Sequence, residues 1–289
     1  MIWSKSNSLY PSNADRRLEF FSLALTLVTA SLIGLVLVFV LLESLPVINA
    51  DVGSFFDPSQ AWFPLEGQRG LVPMIVGSLL CTFGAIALAL PLGVASALFS
   101  QYYGHASLVR PYRWLLGLLA GIPSVVYGFW GLTVLVPLIA MYQPPGASVL
   151  AGVIILAFMI LPTVALAAES AFKAVPASYL LGAHALGIGK AAIAFKVLFP
   201  AARQGLVAGV VLAVTRALGE TMAVLMVTGN VVEMPFSVFD PVRTLTANIA
   251  IEMAYATGEH RAALFFSGLV LTVLIMLMVS YVHRREYAP

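Results

Sequence analysis

Charged residues and cysteine are both scarce in this sequence of 289 residues. Asp, Glu, Lys and Arg make up 10% of the chain, whereas soluble proteins contain about 25%. So few charges cannot cover the surface of a soluble globule, which predicts a membrane protein. The single thiol, Cys81, excludes an intrachain disulfide and a cysteine metal cluster, and its apolar surroundings predict a small buried side chain. The net charge of +2 gives no indication of a nucleic-acid partner.

Motifs of soluble enzymes are also missing from the sequence. There is no P-loop pattern, no His-Glu-x-x-His zinc motif and no Gly-x-Ser-x-Gly nucleophile motif. The four histidines lie in different segments, so we expect no metal site. The sequence therefore predicts no catalytic residue in this chain.

Long apolar runs dominate what remains, with 61% hydrophobic residues and a mean hydropathy of +0.98. About 20 apolar residues suffice to cross a bilayer. The uncharged stretch 114–168 is too long for one crossing, and Gln143-Pro144-Pro145-Gly146 divides it, because proline and glycine favour a turn. The first run is longer than the apolar part of a signal peptide, so we interpret it as an uncleaved helix. Six spans result, near residues 20–42, 70–109, 114–141, 147–168, 205–228 and 262–282.

The distribution of Lys and Arg predicts the orientation of these spans. Eleven of the 15 basic residues fall in the two tails or in the connections after the second and fourth spans. Arg69, Arg243 and Arg261 fall on the opposite side, and Arg216 lies inside a span. The positive-inside rule then places both termini in the cytoplasm, in agreement with an even number of spans.

These boundaries predict an all-α protein of the cell (inner) membrane with six transmembrane helices. The segments are a cytoplasmic N-terminal tail (1–19), a first transmembrane helix (20–43), a periplasmic loop (44–70), a five-helix core (71–283) with a cytoplasmic loop at 169–203, and a cytoplasmic C-terminal tail (284–289).

The cytoplasmic loop contains a predicted short helix from Ala177 to Leu186. Pro176 is suited to a helix start, and Gly187 and Gly189 can end the helix with a left-handed backbone. The helix would expose five side chains, those of Tyr179, Leu180, Leu181, His184 and Leu186. Composition alone fits two roles equally: a surface helix resting on lipid, or a helix that docks in a groove of a cytoplasmic partner.

Arg216 and Glu220 are the charges predicted inside the fifth span. Their spacing of four residues would put them on one helix face, where they can pair with each other. A charge at membrane depth costs at least about 2.5–3.5 kcal/mol, so such residues usually face a helix bundle or a watery path. The pair is therefore either a structural link between helices or part of a substrate pathway. Arginine is also the side chain best suited to bind an oxyanion with two parallel hydrogen bonds.

The third span contains the segment A-G-I-P-S-V-V-Y-G at 120–128. Pro123 predicts a kink, and the glycines predict close helix packing. Ser124 and Tyr127 could line a pathway, and Thr221 and Asn230 are further polar candidates near the fifth span.

The loop motifs resemble the coupling loop, or EAA loop, of permeases of type I ABC importers, which have the MetI-like fold. The matching residues are Val175-Pro176, Ala185-Leu186-Gly187 and Leu198-Phe199-Pro200-Ala201-Ala202. Leu180-Leu181-Gly182-Ala183 stands where this family often has Arg-Glu-Ala-Ala, which suggests apolar docking instead of a charged contact. The resemblance assigns coupling to Pro176, Tyr179, Leu180, Leu181, Ala185, Leu186, Gly187 and Pro200.

Within these permeases, the sequence resembles the phosphate permease subunits of the PstC family. The motifs are L-A-G-I-P-S-V-V-Y-G at 119–128, R-A-L-G-E-T-M-A-V at 216–224 and T-L-T-A-N-I-A at 244–250. The resemblance implies a heterodimer with a PstA-like permease, two copies of a PstB-like ATPase and a PstS-like phosphate-binding protein. It also implies that ATP and Mg are used by the ATPase, that this chain binds no cofactor, and that Arg216 and Glu220 serve phosphate passage.

Other functions remain open at this point. Another oxyanion, such as sulfate, molybdate or phosphonate, would suit the same arginine. The complex could also act in phosphate signalling by restraining a histidine kinase. A stand-alone secondary transporter is less expected, because no inverted repeat is evident.

Overall fold

A computed structural model describes residues 13–50, 52–58 and 60–286, so the outermost parts of both predicted tails lie outside the described residues. The long helices are α1 (Asn13–Ile48), α2 (Val72–Leu98), α3 (Ala106–Gly121), α6 (Val149–Lys173), α9 (Phe199–Leu218) and α12 (Gly258–Glu286). The short helices are α4 (Ser124–Trp130), α5 (Val136–Ala140), α7 (Ala177–Ala185), α8 (Lys190–Ile193), α10 (Met222–Val227) and α11 (Leu245–Glu252). A small hairpin pairs β1 (Trp62–Phe63) with β2 (Gln68–Arg69) in antiparallel register.

Five continuous helical segments of the described chain are long and apolar enough to cross a membrane. They are Arg16–Ile48, Val72–Tyr103, Val149–Lys173, Lys190–Leu218 and Gly258–Tyr281. A sixth crossing is formed if the bent pair Ala106–Gly121 and Ser124–Ala140 counts as one span. The predicted all-α membrane architecture with six apolar segments is therefore confirmed.

The third span is bent far more sharply than a kinked helix. Its two halves meet at 92°, with Ile122 in an extended conformation and Pro123 preceding α4. Proline supplies no backbone N–H and disfavours a helical residue before it, so the helix ends where the sequence places Pro123. Gly146, with a φ of +84°, lies in the predicted turn before α6.

Two predicted boundaries differ from the structure. The first helix extends beyond 20–43 at both ends, because α1 runs from Asn13 to Ile48. The predicted span 205–228 is not one helix: α9 ends at Leu218, and α10 begins at Met222. We call residues 219–221 the span break.

Helix α6 lies at the centre of the molecule, in contact with α2, α3 and α9. Small side chains allow this packing: a Cβ added at Gly152 would lie 2.8 Å from the Thr228 side chain and 3.1 Å from Cys81 Sγ. Cys81 is buried in this core, as its sequence context predicted. Helix α1 lies at the periphery and packs against α12, where Phe39 meets Phe265 edge-on at 5.5 Å between ring centroids.

The connections between helices define two opposite faces. The loop face carries the connection 174–198 between α6 and α9, and the hairpin face carries residues 52–71 and 228–257. On the loop face, buried Glu169 pairs with Arg113 at 2.8 Å and with Lys173 at 2.6 Å. On the hairpin face, Arg69, Arg243 and Arg261 each pair with a glutamate. The structure thus groups these basic residues as the sequence predicted.

Candidate functional site

The span break is built by Glu220 and by a hydroxyl from a distant segment. Helix α9 closes with the N–H of Gly219 donating to Thr215 at 3.1 Å. The Glu220 carboxylate then accepts a hydrogen bond from the N–H of Ala223 at 3.1 Å, which satisfies a free donor at the start of α10. The Thr246 hydroxyl donates to the Glu220 carbonyl oxygen at 2.7 Å. Backbone groups that a continuous helix would pair internally are satisfied here by side chains.

Arg216 lies in the last turn of α9, immediately before the span break. Its side chain is exposed and forms no ion pair with any residue that the structure describes. Pairing between Arg216 and Glu220, which their spacing left possible, is therefore not present in the structure. The physical reason is that the break removes Glu220 from the helix face of Arg216 and directs its carboxylate to the N–H of Ala223. The negative end of the α9 dipole remains as a favourable partner for the guanidinium.

Tyr127 joins the two halves of the third span across the bend. Its hydroxyl donates to the Leu119 carbonyl oxygen at 2.9 Å, which joins α4 to α3 across the bend. The Arg216 guanidinium lies within electrostatic range of this hydroxyl. Ser124, half-buried, is the first residue of α4. The bend of the third span and the span break therefore lie near each other, because α4 contacts α10.

Helix α4 also contacts α10 directly, and Gly128 makes this approach close. A Cβ added at Gly128 would lie 2.9 Å from the Ala223 Cα atom, whereas one added at Gly121 would meet nothing within 4 Å. Close packing, the role expected for the glycines of this motif, is thus fulfilled by Gly128 and not by Gly121. Thr221 is half-buried beside this contact, and its hydroxyl donates to the Gly219 carbonyl oxygen at 3.3 Å.

A small polar cavity lies behind the span break. Its volume is about 10 Å³, which is about the space of one water molecule. Its polar lining comes from Glu220 and from four hydroxyl residues, which are Ser78, Thr82, Thr244 and Thr246. The sequence analysis included Thr244 and Thr246 only as part of a motif. It did not single out Ser78 and Thr82, because single hydroxyl residues are common in apolar helices.

Asn230 lies elsewhere, on the hairpin face. Its backbone is left-handed, with φ of 57°, and its side-chain amide donates to the Leu225 carbonyl oxygen at 2.8 Å. It lines a separate cavity with Arg243, which donates to the Asn230 carbonyl oxygen at 3.0 Å. Asn230 therefore does not lie with Arg216. The residues predicted to line a substrate pathway are found in two separate parts of the structure.

A buried carboxylate, which the sequence did not predict, stabilises the hairpin face. Glu252, at the end of α11, accepts hydrogen bonds from Trp62 at 2.8 Å and from Arg243 at 2.7 Å. His260 Nε2 lies 2.8 Å from the same carboxylate. Trp62, which is distant in sequence, thus meets the nearby residues Arg243 and His260 on one acid. A glutamate in an otherwise apolar segment after the 244–250 motif was the signal available in the sequence.

The predicted coupling helix is present as α7, preceded by Pro176. Gly187 follows it with a φ of +72°, as predicted, while Gly189 has an ordinary negative φ and precedes α8. Most of the residues predicted to serve coupling are exposed, namely Pro176, Tyr179, Leu181, Ala185, Leu186, Gly187 and Pro200.

Leu180 is the exception among the predicted coupling residues. It is half-buried and packs against a buried cluster on the loop face that includes Phe172, Val175 and Leu198. Its expected exposure is therefore wrong, because one side of any surface helix must face the body it rests on.

Known proteins resemble this chain over most of its length. Residues 89–285 match the family described as binding-protein-dependent transport system inner membrane component. The probable ABC transporter permease protein YqgH of Bacillus subtilis is 40% identical over 240 residues, covering 80% of this chain and 78% of that protein. The phosphate transport system permease protein PstC of Mesorhizobium japonicum is 35% identical over 250 residues, covering 79% and 76%. PstC of Pasteurella multocida is 32% identical, covering 76% and 75%.

Among solved structures, a chain of the MetNI methionine ABC transporter in an inward-facing conformation has the same fold. Its TM-score is 0.60 at 19% sequence identity, with 77% of this chain and 96% of that chain covered. The family match and the relatives agree with this fold. The chain therefore belongs to the binding-protein-dependent transport system inner membrane components, together with the PstC phosphate transport system permeases.

Proposed function

We propose that this chain is the permease subunit that passes inorganic phosphate across the cell membrane in an ATP-driven importer. Its partners would be a PstA-like permease, two PstB-like ATPase subunits that use ATP and Mg, and a PstS-like binding protein. The loop face would lie in the cytoplasm together with both termini, in accord with the positive-inside rule. The hairpin face would then receive the binding protein.

The observation that supports this proposal most directly is that Arg216 is exposed and has no ion-pair partner in the described chain. An exposed guanidinium without an ion-pair partner in the described chain lies where a membrane span is broken. Leaving such a charge at membrane depth is unfavourable unless water, an anion or another subunit compensates it. A planar guanidinium offers two parallel donors to a phosphate, which favours an anion as the transient partner.

The exposed side chains of α7 support the proposed coupling to an ATPase. Tyr179, Leu181 and Leu186 are 56%, 68% and 79% exposed on the loop face. Large apolar side chains concentrated on one short helix are typical of a helix that docks in a groove of a partner. Closure of the ATPase dimer would move α7 and, through the loop-face cluster around Leu180, the ends of α6 and α9.

The test is uptake of phosphate by the complete complex in proteoliposomes. Arg216→Ala should abolish uptake and Arg216→Lys should retain part of it, because lysine keeps the charge but loses the bidentate geometry. Arg110→Ala is the matched control, since Arg110 is an exposed arginine outside the predicted coupling loop. Normal uptake by Arg216→Ala at equal complex levels would contradict the proposal.

Two further measurements sharpen the assignment. Glu220→Gln should keep most of the uptake, since an amide oxygen can still accept from the N–H of Ala223. Sulfate, molybdate and phosphonate would each share the chemistry of Arg216. If a tenfold excess of one of these ions inhibits the uptake of labelled phosphate more strongly than unlabelled phosphate does, that oxyanion is the preferred substrate.

A further inference from the structure

The hairpin face contains a cavity of about 480 Å³. It lies between the β1–β2 hairpin, the segment 230–233 and the residues that follow α11, and it is lined in part by Phe63, Glu66, Asn230, Glu233, Arg243 and Tyr255. This volume exceeds the needs of a single small oxyanion, so the cavity can accept a long side chain.

The floor of the cavity is held by the network around Glu252. This acid binds Trp62, Arg243 and His260, and Arg243 also donates to Asn248 at 3.1 Å. Because the Glu252 carboxylate already pairs with Arg243 at 2.7 Å, the positive charge of the arginine is compensated within the floor. The floor therefore offers a fixed shape and little net charge.

The rim of the cavity carries uncompensated negative charge. Glu66 and Glu233 both line it, both are exposed, and neither forms an ion pair with another residue in the described part of the chain. An acidic rim repels phosphate, which separates this cavity from the anion-binding role of Arg216. The same charge would attract a cationic group.

Aromatic side chains that line the same cavity indicate which kind of cation it would bind. Phe63 is 56% exposed and Tyr255 is 62% exposed, and both line the cavity. Aromatic faces bind Lys and Arg side chains through cation–π contacts, and exposed aromatics are enriched where proteins dock. A bare metal ion fits less well, because no group of three His, Cys, Asp or Glu among the described residues could hold one.

We propose that this cavity receives a Lys or Arg side chain from the binding protein of the importer. The proposal rests on the proposed function, since it assigns the hairpin face to the outside. The carboxylates of Glu66 and Glu233 guide and pair the cation, Phe63 and Tyr255 cover its aliphatic stem, and the floor around Glu252 keeps the opening in shape. The contact fixes where the binding protein sits before it releases its substrate.

The test measures the affinity of the full complex, in nanodiscs, for its own binding protein at several salt concentrations. The double variant Glu66→Gln, Glu233→Gln should bind roughly tenfold more weakly at low salt and lose most of the salt dependence, because rim charges act mainly on association. Glu233→Lys should bind more weakly than Glu233→Gln. Glu43→Gln is the matched control, since Glu43 is a carboxylate on the same face that pairs with Arg261 outside the cavity.

Unchanged affinity of the double variant, or tighter binding by Glu233→Lys, would overturn the proposal. An equal loss in Glu43→Gln would also overturn it, because the effect would then be one of overall charge. Loss that appears only when Mg²⁺ is present would identify a cation site instead. Saturating binding protein should restore uptake by the rim variants but not by Arg216→Ala, so failure of this proposal is distinguishable from failure of the proposed phosphate function.

Discussion

The Glu252 network on the hairpin face allows a test of how burial changes the contribution of an ion pair to the unfolding free energy. Glu252 and Arg243 have side-chain exposures of only 9% and 18% and meet at 2.7 Å. In Glu252→Gln the shape is kept, but an amide group faces donors from Arg243, Trp62 and His260. At least one of these donors then loses its acceptor, because glutamine has only one acceptor oxygen.

The expected cost is about 3 kcal/mol of unfolding free energy, the lower end for breaking a buried pair, since one acceptor remains. Glu259→Gln provides the matched control on the same face. Glu259 also pairs with an arginine, Arg69, but its side chain is 77% exposed. Arg69 itself is only 13% exposed, but water screens the exposed carboxylate, so we expect this pair to contribute about 0–1 kcal/mol. The same chemical change should therefore have clearly different effects at the two positions.

Thermal unfolding of the purified complex in detergent measures the difference. With an unfolding entropy of about 2.1 cal/mol/K per residue, a chain of 289 residues should lose about 5 °C of Tm in Glu252→Gln and no more than about 2 °C in Glu259→Gln. Equal and small shifts would refute the reasoning, because they would mean that water reaches the Glu252 carboxylate. A higher Tm for Glu252→Gln would mean that desolvation of the ion pair costs more than the pair returns.

Three other predictions concern the contacts around the span break and α7. Gly128→Ala should lower the unfolding free energy by about 1–3 kcal/mol, since its Cβ would meet α10, while Gly121→Ala should leave Tm unchanged. Leu181→Ala should reduce co-purification of the ATPase at unchanged Tm, whereas Leu180→Ala should lower Tm because Leu180 packs inward. Thr246→Val removes the hydroxyl that donates to the Glu220 carbonyl oxygen, so it should lower the maximal uptake rate more than it changes KM. Thr246→Ser keeps a hydroxyl and should restore the rate.

Each of these predictions has a clear contrary outcome. Equal Tm values for the two glycine variants would mean that α4 and α10 are not in close contact. Loss of ATPase recovery with Leu180→Ala at normal Tm would mean that this side chain, and not Leu181, faces the partner. A rate defect in Thr246→Ser equal to that of Thr246→Val would show that the hydroxyl does not act through the Glu220 carbonyl oxygen.

Features set by local sequence were predictable. Apolar runs located the membrane segments, because about 20 residues without charges can cross a bilayer whatever their neighbours are. Pro176 and Gly187 gave the limits of α7 within one residue, because a proline suits a helix start and a left-handed glycine ends a helix. The same apolar runs also predicted which basic residues share a face, because they define which connections lie on the same side of the membrane.

Features set by distant contacts were not predictable. Apart from Arg216, the residues next to the span break are apolar, so hydropathy predicts one helix over 205–228. The break is stabilised by Thr246, which lies 26 residues beyond Glu220. The Glu252 network likewise joins Trp62 to an acid 190 residues later in the chain. Hydrophobic periodicity contains no information on pairings of this kind, and the separation of Asn230 from Arg216 follows from them.

The span break also changes what the two charges at 216 and 220 mean. In a continuous helix they would compensate each other, and the pair could be purely structural. In the structure, Glu220 satisfies a backbone N–H, and Thr246 and the small polar cavity hold it there. Arg216 is left with the dipole of α9, and the Tyr127 hydroxyl lies within electrostatic range of its guanidinium. Because no ion pair forms at Arg216 within the described chain, the cost of a guanidinium at membrane depth would have to be offset by water, another subunit or an anion. Under the proposed function, an anion in transit would offset that cost only while it is bound, as a residue that binds a substrate and then releases it requires.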